Sequence, residues 1–296
     1  MKVLNYGSLN VDYVYSVDHI IVGGETQHSS KLETFSGGKG LNQSIALAKA
    51  GVPVYHAGIV GTDGDILLEA CKEAGVNTKY IRRLPVKGGH TMIQVDKNAQ
   101  NCIILYGGTN QMQTKEFVDE VLADFGEGDY LILQNEVNLL DYIIDQAYEK
   151  KMKIVLNPSP FDDKLSTCDL GKVYLFLLNE IEGEQITGYK DKDQILDALA
   201  EKFPNARFVL TLGSDGAVYY DGKEKVFQDI FKVKAVDTTA AGDTFTGYFI
   251  AAVIDGKSIQ EALRMAAKAS SIAVSRPGAT PSIPKMDEVK KELGML

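Results

Sequence analysis

The residues best suited to chemistry stand in one stretch, Asp237-Thr-Thr-Ala-Ala-Gly-Asp-Thr-Phe-Thr-Gly-Tyr-Phe249. It reads as a loop running into a buried helix, because Phe245, Phe249, Ala252 and Val253 recur at helical spacing. Ala240, Ala241 and Gly242 place only small side chains at the helix start, so unpaired backbone N–H groups can come close to a ligand. The positive end of a helix dipole with free amides favours phosphate or developing negative charge. Asp243 adds a carboxylate in the first turn, and a carboxylate beside an anion hole has the makings of a general base. The plainer alternative is an ordinary helix start, with Thr238 or Thr239 as the cap and Asp243 complementing the dipole.

Several elements must position such a group. Residues 2–6 form a short apolar strand that turns at Gly7-Ser8 into Asn10 and Asp12, two polar side chains beyond a strand end; an Asx-type turn is the alternative for both. Further short apolar runs stand at 54–60, 130–134, 153–157, 173–178 and 207–212, with amphipathic segments such as 115–125 and 139–150 between them. Strand then helix, repeated, predicts a mainly parallel sheet covered on both faces. Polar residues follow several of these strands: Asn135-Glu136, Asn157-Pro-Ser159, Asn179 with Glu182, and Thr211 with Gly213. In a parallel sheet all those ends line one crevice. Asn179 and Glu182 also have the spacing of a capping box, and Glu136 reads equally as a solvated loop residue.

Residues 11–35 and 90–106 break this rhythm with alternating polar and apolar positions, which predicts a small separate sheet acting as a lid. Between them, Ser36-Gly-Gly-Lys-Gly-Leu-Asn-Gln43 reads as a hinge leading into a helix from Ser44 to Ala50, with Lys39 and Asn42 facing one pocket. It is not a P-loop, since Glu33 stands where GxxxxGK[ST] needs glycine. Gly256-Lys257-Ser258 fails the same test at Ala251; there Gly256 ends one helix, and Ser258 with Glu261 caps the next. A last helix from Ile259 to about Ser275 gives way to Arg276-Pro-Gly-Ala-Thr-Pro-Ser282, whose carbonyls and hydroxyls suit a hard cation or simply a rigid connector.

Composition bounds the partners. A chain of 296 residues with formal charge -9 and no Lys/Arg run argues against nucleic acid or an anionic membrane as the main partner and for a small molecule. Cys71, Cys102 and Cys168 form neither an even set nor a CxxC pair and read as reduced, buried thiols. No apolar run is long enough for a signal peptide or membrane span, which makes a cytoplasmic location the expectation.

Taken together, Gly7-Ser-Leu-Asn-Val-Asp12, Gly37-Gly-Lys-Gly-Leu-Asn42, Asn179-x-x-Glu182, Thr211-Leu-Gly213 and Asp237 to Phe245 resemble the ribokinase family of ATP-dependent sugar kinases, from residue 3 to about 284. The resemblance implies one α/β domain over 1–296, a mainly parallel central sheet flanked by helices, with a small β-sheet lid that often pairs with a second subunit's; a homodimer is expected. It implies that Asp243 takes a proton from the sugar hydroxyl and that Ala240, Ala241 and Gly242 form the anion hole. Asn179 and Glu182 would organise magnesium and phosphate through water, and Thr211 and Gly213 would lie by the nucleotide phosphates. Asn10, Asp12, Gly38, Lys39, Asn42 and Glu136 match the positions that hold ribose hydroxyls, so the expected reaction is transfer from ATP to the 5-hydroxyl of D-ribose, giving D-ribose 5-phosphate. Asp237, Thr239, Ala273, Arg276, Gly278 and Ser282 match a monovalent-cation site in which backbone carbonyls hold potassium. The competing readings are a kinase for a nucleoside, fructose, a deoxysugar or a sugar acid, and a sugar- or nucleotide-binding regulator without turnover.

Overall fold

The run Tyr-Leu-Ile-Leu-Gln at 130–134 buries every residue, as a strand does when helices cover both faces of its sheet. The computed structural model describes residues 1–98 and 100–295; residue 99 of the expected lid and residue 296 of the expected domain lie outside the described residues. The chain begins with β1 (Val3–Tyr6), β2 (Asn10–Ser16), β3 (Lys31–Gly37), α1 (Lys39–Lys49), β4 (Val54–Val60), α2 (Asp65–Ala74) and β5 (Asn77–Arg83). It continues with β6 (Gly89–Val95), β7 (Asn101–Tyr106), α3 (Lys115–Leu122), β8 (Tyr130–Gln134), α4 (Leu140–Glu149), β9 (Lys153–Asn157), β10 (Leu175–Asn179) and α5 (Glu180–Thr187). It ends with α6 (Lys192–Lys202), β11 (Arg207–Thr211), β12 (Ala217–Tyr220), β13 (Lys225–Gln228), α7 (Ala241–Ile254), α8 (Ile259–Val274) and α9 (Met286–Glu292).

Among the described residues, nine strands form the main sheet in the order β13-β12-β11-β10-β9-β8-β1-β4-β5. All neighbours from β5 to β11 are parallel, and β12 and β13 add an antiparallel edge. Successive residues of each strand feed two cores. Val3, Ile132, Val155, Leu177 and Val209 pack with α1, α7 and α8, while Leu4, Leu131, Ile154, Phe176 and Phe208 pack with α3, α4 and α6. Truncating one such leucine to alanine costs about 2–5 kcal/mol. A second sheet, β3-β2-β6-β7, contains the alternating segments and stands apart from the first. No helix among the described residues is long and apolar enough to cross a membrane.

The strand order reverses around β1, which lies between β8 and β4. The carboxyl ends of β1 and β8–β11 therefore open on one side, at the switch point where such sheets bind ligands.

Three sequence expectations need correction. First, α1 begins at Lys39, five residues before Ser44, so Lys39, Asn42 and Gln43 are helical. Gly38 makes this possible: at φ 95° it turns the chain into the helix and accepts from Asn42 N at 3.0 Å, while Leu41 N donates to Ser8 O at 3.0 Å. Gly40 then lies against β1's exit, where a Cβ would come within 2.4 Å of Ser8 N. Second, only Cys71 is buried, whereas Cys168 is half-buried and Cys102 exposed on β7, the edge strand of the small sheet. Third, neither Thr238 nor Thr239 caps α7; its N-cap is Ala240 at φ 59°, with no side-chain cap.

Candidate active site

Asp243 sits in the first turn of α7, and Gly247 one turn further on the same face. A Cβ on Gly247 would stand 2.4 Å from the Ala46 side chain, so α7 and α1 cross at a distance only glycine allows. That crossing brings the start of α1 over Asp243. Asn42 Nδ2 donates to Asp243 Oδ2 at 3.0 Å and Gln43 Nε2 donates to Oδ1 at 2.9 Å. The carboxylate is buried and bonds across to another helix, so it is not simply a dipole partner for its own. The Oδ1 of Asn42 is buried without a hydrogen-bond partner, an acceptor left for something in the site.

The backbone at this helix start is open. Ala241 N reaches Thr238 O at 3.2 Å, but Gly242 N and Asp243 N make no hydrogen bond among the described residues. Nothing lies within 4 Å of a Cβ built on Gly242. The left-handed Ala240, strained by about 1–2 kcal/mol, turns the chain so that these amides face a cavity. That chamber, of about 230 Å³, is lined by Lys39, Asn157, Asn179, Glu182, Thr211 and Asp243 among others.

On one side of Asp243 stand the residues expected to hold a sugar. Asn10 and Asp12 belong to β2, and neither makes an Asx turn: Asn110 Nδ2 donates to Asn10 Oδ1 at 2.7 Å, and Thr91 Oγ1 donates to Asp12 Oδ1 at 2.6 Å. Gly37 makes room for the Asp12 carboxylate, since a Cβ there would come within 1.9 Å of Oδ2. Glu136 is not a solvated loop residue but half-buried, accepting from Ser8 Oγ and, at 3.1 Å, from Lys39 N. Burial pushes the carboxyls of Asp12 and Glu136 up, against the hydrogen bonds they accept and, for Glu136, the Lys39 charge. Burial alone would lower Lys39, but the surrounding carboxylates of Asp243, Glu136 and Glu182 outweigh it and hold the ammonium charged.

On the other side, a second cavity of about 780 Å³ adjoins the chamber through Thr211, Thr238, Ala241 and Gly242. Ile230, Phe231, Val233, Ala235 and Phe245 give it apolar walls, and Gly213 lies on its rim. The capping box of Asn179 and Glu182 is realised: Asn179 Oδ1 accepts from Glu182 N at 2.9 Å and Glu182 Oε2 accepts from Asn179 N at 3.0 Å. Both residues nonetheless line the chamber.

The loops at 237–239 and 276–282 meet beside the open amides. Asp237 accepts from Thr239 N and from Gly278 N, each at 2.9 Å, and these donors hold its carboxyl below the usual carboxylate range despite burial. Ser270 Oγ of α8 donates to Ala241 O at 3.1 Å, linking that region to the open start of α7. Ala273 O accepts from Arg276 N at 3.1 Å, Ser282 Oγ donates to Ala279 O at 2.8 Å, and the Arg276 guanidinium turns away to Glu288.

Sequence reasoning did not single out Thr91, Asn110, Ser8 or Gln43 as partners of these groups, or the walls of the large cavity. Asn5 and Gln134, polar residues inside otherwise apolar strands, were a readable sign of a buried network; Ile230 to Ala235 carry no such sign.

Comparison with known proteins agrees with this fold. A family profile described as pfkB family carbohydrate kinase matches residues 1–286. The ribokinase of Haemophilus influenzae is 34% identical over 296 residues, covering 95% of each chain. The crystal structure of a ribokinase from Thermotoga maritima superposes with TM-score 0.89 at 32% identity, covering 99% of each chain. A ribokinase from Arabidopsis thaliana, complexed with ribose and ATP, superposes with TM-score 0.86 at 30% identity, covering 99% of this chain and 98% of its own. With its two-layered parallel core, its separate small sheet and this match along nearly its whole length, the chain belongs to the pfkB family of carbohydrate kinases.

Proposed function

We propose that this protein is an ATP-dependent sugar kinase that transfers the γ-phosphoryl group of ATP to the 5-hydroxyl of D-ribose, giving D-ribose 5-phosphate and ADP. The observation that carries the reading is the position of the Asp243 carboxylate. It bonds to Asn42 of a built polar set that also contains Asn10, Asp12 and Glu136, and it lines the chamber that adjoins an apolar cavity of nucleoside size, with the open Gly242 amide beside it. The ribokinases it resembles, one of them holding ribose and ATP, support the choice of both substrates.

In this mechanism Asn10, Asp12, Gly38, Asn42 and Glu136 bind the ribose hydroxyls and Asp243 takes the proton from O5. The oxygen attacks the γ-phosphorus as the bond from that phosphorus to the β-phosphate oxygen breaks, and ADP leaves. The open amides of Gly242 and Asp243, at the turn shaped by Ala240 and Ala241, and the Lys39 ammonium face the negative charge that spreads over the phosphoryl oxygens. Base catalysis contributes about 10²–10⁴-fold, and the fixed geometry supplies more. Thr211 and Gly213 lie by the phosphates, with the base and ribose of the nucleotide in the apolar cavity.

Mg²⁺ binds through one or two carboxylates, waters and substrate phosphates. Glu182 and Asn179 would hold it through water, and when bound it neutralises phosphate charge. The oxygen-rich junction of Asp237, Thr239, Ala273, Arg276, Gly278 and Ser282, through main-chain carbonyls, suits potassium, which would steady the adjacent anion hole.

The same reading treats residues 1–296 as one domain in which segments 11–35 and 90–106 form a lid that excludes water. It makes the protein a cytoplasmic homodimer paired through that lid. Leu32, Met92, Ile103, Ile104, Leu105 and Tyr106 leave an exposed apolar surface there, which supports pairing.

The test is ADP release with ribose, deoxyribose, fructose and adenosine as acceptors, each with and without potassium. Fast turnover on ribose, raised by potassium, is expected. Preference for another acceptor, or silence on all four, would overturn the assignment.

A further inference from the structure

Gln43 is fully buried next to Asn42, and the roles above leave it without a task. Its amide is engaged on every side. Nε2 donates to Asp243 Oδ1 at 2.9 Å and to Asn157 Oδ1 at 3.2 Å, while Oε1 accepts from Gln134 Nε2 at 2.7 Å. Gln134 Nε2 also donates to Asn5 Oδ1 at 3.0 Å, and Asn5 Nδ2 donates to Gly40 O at 2.8 Å and Ser44 Oγ at 2.9 Å. Asn157 is fixed in turn by donating to Leu177 O at 2.8 Å. Turning the Gln43 amide over would set its oxygen against a carboxylate and a carbonyl, and its nitrogen against another donor, so one orientation survives.

Asp243 thus receives one N–H on each carboxylate oxygen, but the two donors differ. Asn42 has a spare acceptor, Oδ1, whereas every polar atom of Gln43 is taken up by protein. A sugar entering the site can rearrange Asn42 without disturbing Gln43.

We infer that Gln43 is a positioning residue for phosphoryl transfer: it fixes the side-chain orientation of Asp243 through a hydrogen-bonded chain anchored in β8 and β1 by Gln134 and Asn5. The inference rests on the reading of Asp243 as the base in a ribose kinase. A carboxylate with a donor on one oxygen only is free to swing toward the Lys39 ammonium, and a displacement of about 1 Å costs on the order of 10²-fold in rate.

Gln43→Leu removes both donors at similar volume. We expect kcat with ribose to fall about 10- to 100-fold, with ribose KM and calorimetric Kd within about 3-fold of wild type. In an Asp243→Asn background the same change should cost almost nothing further, because Gln43 acts through Asp243. Gln134→Leu, which leaves Gln43 in place but removes its anchor, should lower kcat in the same direction by a smaller factor, and it carries the test if Gln43→Leu does not fold. A folded variant with wild-type kcat, or a Gln43→Leu loss that multiplies fully with Asp243→Asn, would overturn the role. A wild-type protein silent on ribose but active on another acceptor would instead sink the ribose assignment; the kcat series on that acceptor then decides the role of Gln43.

Discussion

The two sides of Asp243 are built from different materials. Toward the sugar, Asn10, Asp12, Asn42 and Glu136 each have a fixed side-chain or amide partner, and the carboxyls of Asp12 and Glu136 bear a burial penalty. On the side proposed to take the nucleotide, the walls are Ile230, Phe231, Val233 and Ala235, with backbone at Gly213 and Gly242. The glycines show the contrast. At Gly37 a neighbouring carboxylate fills the space of the missing Cβ, whereas at Gly242 that space is open. A small polyol is distinguished from its analogues by paired polar groups, which reject a missing hydroxyl strongly, while a flat base needs a slot and phosphates need free amides. On the proposed reading, specificity is concentrated on the first side and tolerance on the second.

Asp243→Asn tests the point where the sides meet. We expect kcat to drop about 10²–10⁴-fold with ribose and ATP binding nearly unchanged by calorimetry; retention of most of the wild-type kcat would remove the base assignment. Next in size comes the glycine pair. Gly37→Ala must push Asp12 aside, so ribose KM should rise about 10- to 100-fold and melting temperature fall, in line with about 1–3 kcal/mol for disturbing a charged hydrogen-bonded group. Gly242→Ala meets no protein atom, so its melting temperature should stay put while kcat with ATP falls; equal thermal losses in the two would erase the distinction.

Phe231→Ala should raise ATP KM about 3- to 10-fold, the range of a pocket contact of about 0.6–1.4 kcal/mol, and leave ribose KM alone. The smallest effect is in pH. Because burial raises the carboxyls of Asp12 and Glu136, each takes up its proton at a pH above that of a free carboxylate. As pH falls, kcat/KM for ribose should therefore decline with a midpoint above the usual value of about 4, and Asp12→Asn should remove part of that decline. A profile flat down to pH 4 would contradict the burial of the sugar side.

Much of this was legible in residues 1–296. Strands 54–60, 130–134 and 153–157 coincide with β4, β8 and β9, because a strand buried on both faces reads as a nearly continuous apolar run. The capping boxes at Asn179–Glu182 and Ser258–Glu261 form as their spacing predicts, being local hydrogen bonds within one turn. The start of α1 is not legible, because Gly38-Lys-Gly40 has the composition of a loop. What makes it helical is contact with Ser8, thirty residues earlier, and local propensity carries no trace of that.

By itself the sequence determined the parallel fold, the separate small sheet and the chemical types collected at the strand ends, since those follow from periodicity and from side-chain chemistry. Only the tertiary structure decided that Gly247 and Ala46 let two helices cross so closely, that Asn42 and Gln43 thereby grip opposite oxygens of Asp243, and that Ile230 to Ala235 wall a cavity. The reason is physical: these are contacts between segments some two hundred residues apart, fixed by how close two backbones can come, and no local pattern encodes that distance.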